Sequence, residues 1–156
     1  MNNINNMENQ EIQHKFEEEI VMMRRVAAKR AGGPNLRFSV LAVVGDKNGT
    51  IGIAIAKAKE NVVAIRKAKE KARRSTIKVK LSASGSIPHE VRAKFGASKI
   101  LMKPAPLGAG LIAGSSVRQI LELAGYKNIS AKILDGSNKI TNAYAVMEAL
   151  KKFIEK

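Results

Sequence analysis

The chain has 156 residues, of which 45% are hydrophobic but only 4% aromatic, so its core must be built mainly from aliphatic side chains. It contains no cysteine, which excludes disulfides and thiolate metal sites, and no apolar run approaches the ~20 residues that a membrane-spanning helix needs. The 28 Lys and Arg residues outnumber the 13 Asp and Glu residues, which gives a formal net charge of +15.

The first residues are predicted to form a disordered tail, residues 1–13. They are rich in Asn, aperiodic, and lack the basic-then-apolar order of a secretory signal. The next stretch, to residue 28, is ambiguous, because Phe16, Ile20, Met23 and Ala27 fit a helical stripe whereas Ile20–Met23 also fits a strand. Lys29–Pro34 contains two glycines and a proline, which predicts a loop.

A β-hairpin and a helix are predicted next. Leu36–Val44 and Ile51–Ala56 are rich in aliphatic residues and flank the turn Gly45–Gly49, a pattern typical of an antiparallel pair. Residues 60–75 are dominated by Ala, Lys, Arg and Glu, which favours a helix. The expected apolar face of this helix consists of Val62, Ile65, Ala68 and Ala72.

The second half is predicted to contain three strands and two helices. The strands are expected at residues 87–94, 98–103 and 129–134, and the helices at residues 111–124 and 141–154. A loop rich in Gly and Pro precedes the first of these helices, and Gly125 is expected to end it. The last helix is expected to bury Ala143, Val146, Leu150 and Phe153 or Ile154.

Positive charge is concentrated after residue 20. Five of the acidic residues lie before that point, so the rest of the chain has a net charge of +19. A folded body with such an excess is expected to bind a polyanion, and nucleic acid is the leading candidate because each phosphate contact releases counterions. The alternative is a lysine-rich surface that serves solubility alone.

Two basic segments are the candidate phosphate contacts. The predicted helix carries cations opposite its apolar face with few acidic partners, and the loop before the hairpin has a Gly-Gly pair that permits close approach to a backbone. Since aromatic side chains for stacking are scarce, binding to structured RNA is favoured over reading of single strands. The candidate RNA-binding residues are Arg24, Arg25, Lys29, Arg30, Gly32, Gly33, Arg37, Lys57, Lys59, Arg66, Lys67, Arg73 and Arg74.

Taken in order, these segments resemble a known family, bacterial small-subunit ribosomal protein five (the S-five family). Its N-terminal half is resembled by Val43–Gly49, Gly52, Lys57-Ala58 and Lys71–Arg74. Its C-terminal half is resembled by Ile87–Val91, Lys94–Ala97, Lys103–Pro106, Gly108, Gly110, Ile112–Gly114, Arg118 and Leu123–Gly125. The resemblance covers about residues 14–150.

The resemblance implies an α+β fold with two domains. Residues 14–80 would form a domain like those that bind double-stranded RNA, with three antiparallel strands and one helix, in which Ile20–Ala28 is a strand. Residues 81–156 would form a two-layer α/β sandwich with a left-handed crossover.

The resemblance also implies a cytoplasmic, ribosome-bound protein without cofactor, metal or small-molecule substrate. Such proteins bind 16S ribosomal RNA, support subunit assembly, and lie beside the S-four and S-eight proteins near the side where messenger RNA enters. The loop Ala28–Pro34 would reach toward the head–body neck, near the spectinomycin site. Gly108, Gly110 and Arg118 would face the S-four protein at a contact that influences decoding accuracy.

Two other functions are weighed against this one. A free regulator that binds double-stranded RNA would share the first domain only. A small-molecule kinase would use Pro106–Ser116 as a phosphate-binding loop at a helix N-terminus, but phosphoryl transfer needs carboxylates for Mg²⁺. The acidic residues after residue 20 are not clustered, so we do not expect an enzyme.

Overall fold

The computed structural model describes residues 16–153, which form two four-stranded sheets and three helices. Along the chain the elements are β1 (Glu17–Arg30), β2 (Gly33–Gly45), β3 (Thr50–Ala58), α1 (Asn61–Arg74), β4 (Ile77–Lys78), β5 (Val91–Phe95), β6 (Ser98–Pro104), β7 (Leu111–Ile112), α2 (Ser115–Ala124), β8 (Ile129–Asp135) and α3 (Lys139–Lys151). The fold is α+β, as the family resemblance implied. The predicted tail, residues 1–13, and Ile154 lie outside the described residues.

The first sheet has the order β1-β2-β3-β4, and all its neighbouring strands are antiparallel. The helical stripe considered for residues 13–28 is wrong within the described part, because β1 pairs with β2 from Glu17 to Arg30. The strand implied by the family resemblance is confirmed and is longer than expected. The predicted loop Lys29–Pro34 shrinks to a turn at residues 31–32, since Arg30 already pairs with Gly33.

Strand β2 is buried on both faces of this sheet. Its consecutive residues from Val40 to Val44 are all 0% exposed, as expected for a continuous aliphatic run between two layers. Val40 and Ala42 pack with Ala64 and Ala68 of α1. Leu41 and Val43 point the other way and join the core of the second half.

Helix α1 approaches the sheet through small residues. Ala64, Ala68 and Ala72 are fully buried, and a Cβ added at Gly52 would lie 2.3 Å from the carbonyl oxygen of Ala72. Val62, which was expected on the apolar face, is 69% exposed. The three alanines recur at intervals of four residues and therefore share one face of the helix. This face packs on the sheet and Val62 does not, because alanine allows a closer approach than valine.

The second sheet has the order β5-β6-β8-β7, in which only β7 and β8 are parallel. The helix predicted from Leu111 begins at Ser115, because Leu111 and Ile112 pair with β8 and Gly114 is extended. The strand predicted from residue 87 begins at Val91. The last helix begins two residues earlier than expected, with the Asn138 side chain accepting a hydrogen bond from the backbone N–H of Ile140 at 3.0 Å.

The two halves are joined at the turn between β2 and β3. The backbone N–H groups of Lys47 and Gly49 each donate a 2.9 Å hydrogen bond, to the carbonyls of Leu123 and Ala124 at the end of α2. Such carbonyls have no partner within their own helix. Gly125 ends the helix in a left-handed conformation, as predicted. The two halves also share a core, since buried residues of both sheets belong to one hydrophobic cluster.

Candidate nucleic-acid interface

The β1–β2 hairpin distributes its cations over two faces. Arg24 lies opposite Ser39, which in turn lies opposite Lys57, so the two cations share one face of the sheet. By alternation, Arg30 and Arg37 lie on that face as well. Arg25 and Lys29 lie on the other face, opposite Phe38 and Pro34. The structure thus separates two of the predicted RNA-binding residues from the rest of the hairpin.

Two adjoining clefts bring cations of the hairpin and of α1 together. The hairpin cleft, of about 230 Å³, is lined by Val26, Ala27, Arg30, Asn35, Arg37 and Lys57. The helix cleft, of about 360 Å³, is lined by Arg37, Lys57, Ala58, Lys59, Glu60, Val63 and Lys67. Since Arg37 and Lys57 line both, the two clefts form one continuous region. We call the cations that line this region, Arg30, Arg37, Lys57, Lys59 and Lys67, together with Arg24 on the same hairpin, the hairpin–helix surface.

The N-terminus of α1 adds to the positive potential of the helix cleft. Backbone N–H groups in the first turn of a helix have no partner within the helix, and the helix dipole places partial positive charge there. The residue before α1, Glu60, makes no side-chain capping hydrogen bond, and the described first turn contains no acidic residue. Among the described residues that line the two clefts, Glu60 is the one carboxylate.

The tip of the hairpin is sterically open. A Cβ added at Gly32 or Gly33 would meet no heavy atom of the described chain within 4 Å, once neighbouring residues are left out. Gly33 has a φ of +113°, a conformation that other residues rarely adopt. Gly33 therefore serves the turn itself, whereas the space around both glycines leaves the tip accessible to a partner.

Two of the cations on the outer side of α1 are neutralised by a carboxylate of β1. Glu18 of β1 forms ion pairs with Arg73 and, at 3.4 Å, with Lys69. The Glu18 side chain is only 16% exposed, and Lys69 and Arg73 share with Arg66 and Glu70 a groove of about 290 Å³. Arg73 is thus already paired with a carboxylate, whereas Arg66 and Arg74 are exposed.

The sequence reasoning missed the role of Glu18. The three consecutive glutamates at residues 17–19 were visible, but they were counted among the acidic residues that precede the basic body. A strand assignment for this segment would have placed Glu18 beside α1, because Glu18 lies opposite Val44 on the face that the helix covers.

The predicted protein-interface residues fall in two places. Gly108 and Gly110 lie in the loop before β7, and their N–H groups donate to Oδ1 of the buried Asn128 at 3.2 and 3.1 Å. Arg118 is exposed on α2 and lines a cleft of about 320 Å³ between the halves with Lys47, Leu111, Glu122, Gly125, Tyr126 and Lys127. The glycines adjoin this cleft through Leu111 but do not line it.

The loop geometry does not suit a phosphate-binding loop of a kinase. The N–H groups of Gly108 and Gly110 are occupied by Asn128, and β7 separates them from the N-terminus of α2. Among residues 16–153 no group of three or more His, Asp or Glu residues is arranged to hold a metal ion.

Tyr126, which lines the cleft between the halves, acts as a neutral donor. Burial raises the pKa of its hydroxyl, because a phenolate would lose its hydration there. The hydroxyl donates to the carbonyl of Lys80 at 3.2 Å, which links the two halves.

No helix in the described chain has the length and apolar character to cross a membrane.

Comparison with known proteins assigns both halves to one family. Residues 16–80 match the N-terminal domain of ribosomal protein S5, and residues 93–155 match its C-terminal domain. The small ribosomal subunit protein uS5 of Thermus thermophilus is 49% identical over 136 residues, which cover 87% of this chain and 83% of the relative. The protein of the same name from Thermotoga maritima is 47% identical over 146 residues, with coverages of 93% and 82%.

A third relative of that name, from Mycoplasma genitalium, is 49% identical over 138 residues, 88% of this chain and 65% of the relative. The two matched regions together span most of the chain, and the resemblance drawn from the sequence is confirmed. The chain belongs to the ribosomal protein S5 family.

Proposed function

We propose that this chain is a structural protein of the small ribosomal subunit that binds 16S ribosomal RNA through the hairpin–helix surface, and that it acts in the cytoplasm, bound to the ribosome. Family membership supports the ribosomal role, because the relatives bear the name small ribosomal subunit protein uS5. As a member of a ribosomal protein family, the chain is not an enzyme.

The observation that carries the RNA proposal is the convergence of five cations along two adjoining clefts, with Arg24 nearby on the hairpin and a single carboxylate among the cleft residues. Within the described chain, none of the six is held in an ion pair with that carboxylate or any other. Charges grouped within a Debye length of about 8 Å act together on a polyanion. Binding of RNA phosphates would release counterions from the hairpin–helix surface, which favours association.

The hairpin supplies the shape for such binding. Strand β3 ends its pairing with β2 at Phe38, so residues 26–37 form a two-stranded ribbon beyond the three-stranded part of the sheet. An exposed ribbon with Arg30 near its tip suits a groove of folded RNA, where shape and phosphates are recognised more than base edges. We propose that this ribbon reaches toward the head–body neck. Arg25 and Lys29 on its opposite face would then contact RNA from the other side.

The outer cations of α1 are expected to contribute unequally to RNA binding. We propose that Arg66 and Arg74, which are exposed, contact phosphates at the edge of the surface. Arg73 contributes less, because Glu18 already neutralises its guanidinium. The glycines at the tip would permit close approach to a sugar–phosphate backbone.

We further propose that the loop with Gly108 and Gly110, together with Arg118, faces a neighbouring ribosomal protein. In this assignment the neighbour is the S-four protein, the contact affects decoding accuracy, and the S-eight protein lies nearby, close to the entering messenger RNA. The physical support is local: Leu107 is 80% exposed at the tip of this loop, and Asn128 holds the loop backbone in place. The division into domains at residues 14–80 and 81–156 belongs to the same proposal.

Co-sedimentation tests the ribosomal assignment against a free regulator that binds double-stranded RNA. We expect the tagged full chain to sediment with the small subunit and to remain there through a moderate salt wash. A chain that is recovered wholly in the supernatant, while still binding duplex RNA in isolation, would contradict the proposal and support the regulator.

A further inference from the structure

The second sheet leaves one of its faces without a covering helix. Helices α2 and α3 pack on the face that contains Ile100, Met102 and Ala131. On the other face the side chains alternate with these and point outward. The outward residues of the three strands β5, β6 and β8 include five exposed cations: Arg92, Lys94, Lys99, Lys103 and Lys132.

Strand pairing assembles these cations into a band. Arg92 lies opposite Leu101, which lies opposite Lys132, so one row crosses three strands. Lys94 lies directly opposite Lys99 in the next row. Neighbouring strands are about 4.8 Å apart, and outward residues on one strand are about 6.7 Å apart. The five cations therefore surround the half-buried Leu101 at neighbouring positions of the sheet.

The band is poorly neutralised by the protein itself. Arg92 has an ion pair with Glu90 at 3.7 Å, and both side chains are largely exposed. Asp135 lies opposite Lys99 in the strand register, but its Oδ1 accepts a hydrogen bond from the N–H of Gly136. Within residues 16–153, none of the four lysines of the band forms an ion pair with a carboxylate. Like charges opposite each other, such as Lys94 and Lys99, repel one another unless an anion lies between them.

We propose that this face, Arg92, Lys94, Lys99, Lys103 and Lys132, is a second surface that binds the phosphate backbone of folded RNA, separate from the hairpin–helix surface. The inference rests on the proposed function, since it assumes that RNA is the partner. It names residues for phosphate contacts in the second half of the chain, where the named candidates, Gly108, Gly110 and Arg118, belong to a protein contact.

The composition of the face favours RNA over an acidic protein. Protein–protein interfaces are depleted in lysine and enriched in aromatic residues, whereas four of the five cations here are lysines and the outward positions of these strands hold no aromatic residue. The most exposed apolar residues of the face, Ile112 and Leu134, are 59% and 51% exposed and lie on the edge strand and at the end of β8. They adjoin the band without interrupting it.

A matched pair of variants of the full chain tests this site on protein-free 16S ribosomal RNA transcript. The test variant is Lys103→Gln with Lys132→Gln, and the control is Lys127→Gln with Lys139→Gln, which removes the same charge from exposed positions of the same half. We expect the test variant to lower the slope of log K against log salt by about one unit per lysine relative to the control. The two single variants, each with about half the effect, guard against a misfolded double variant.

The outcomes separate the two proposals. If the wild-type chain does not bind the transcript at low salt, the proposed RNA-binding function fails and this inference fails with it. If the wild type binds but the test variant matches the control, only the second surface is refuted. A test variant that binds the transcript like the control but no longer joins the assembled subunit would also refute it, and would point to an acidic protein partner.

Discussion

The two sheets of this protein bury their residues in different ways, and the difference determines where each half can carry charge. Strand β2 of the first sheet is buried on both faces from Val40 to Gly45, because α1 covers one face and the second half covers the other. Strand β6 of the second sheet alternates, with Ile100 and Met102 buried and Lys99 and Lys103 exposed. The first sheet therefore carries its cations beyond its core, and the second carries them across a whole face.

The largest expected effect on stability comes from truncating a buried side chain of β2, the strand that is covered on both faces. Leu41→Ala should lower the free energy of unfolding by about 2–5 kcal/mol, since Leu41 is fully buried in the core that both halves share. Leu134→Ala, on the open face of the second sheet, should change it by less than about 1 kcal/mol because that side chain is 51% exposed. Urea unfolding of both variants measures the contrast, and equal losses would refute it.

A smaller loss is expected where α1 meets the first sheet. Gly52→Ala should destabilise the protein by about 1–3 kcal/mol, because the new Cβ would lie 2.3 Å from the carbonyl oxygen of Ala72 and the helix must move. The control is Gly32→Ala at the hairpin tip, where the added Cβ has open space in the described structure; it should shift stability by about 0.5 kcal/mol or less. Thermal or urea unfolding that fails to separate the two variants would show that the helix does not lie this close.

The smallest effect is expected at the ion pairs between β1 and α1. Glu18→Gln releases Lys69 and Arg73, so RNA binding should become steeper in salt by about one unit for each cation that gains a phosphate. Glu17→Gln is the control, since Glu17 pairs with Lys47 in the turn instead, at 3.1 Å. If filter binding across a salt titration gives the same slope for both variants, the released cations do not reach RNA.

The sequence predicted the elements whose cause is local. The aliphatic run of β2, the turn Gly45–Gly49, the basic helix and the left-handed Gly125 each follow from residue types within a few positions. The cationic band of the second sheet depends on strand pairing, because only the pairing places Arg92 and Lys132 beside Lys99 and Lys103.

The sequence did not predict the features that depend on distant partners. Leu111 and Ile112 form a strand because they pair with β8. The prediction of a helix from Leu111 considered local residue types only and could not include this pairing. Val62 was predicted to be buried because the periodicity of the helix does not show that α1 packs closely against Gly52 of β3. The ion pair of Arg73 depends on Glu18, which lies in another strand. In each case the missing information was tertiary.

The most direct measurement for the central claim is the salt dependence of binding to 16S ribosomal RNA transcript by an Arg37→Ala, Lys57→Ala variant, because these two residues line both clefts of the hairpin–helix surface. Lys127→Ala with Lys139→Ala serves as the control of equal charge. The account predicts that the slope of log K against log salt falls by about two units in the test variant relative to the control. Identical slopes in the two variants would contradict it, because the two cations at the centre of the surface would then not contact phosphate.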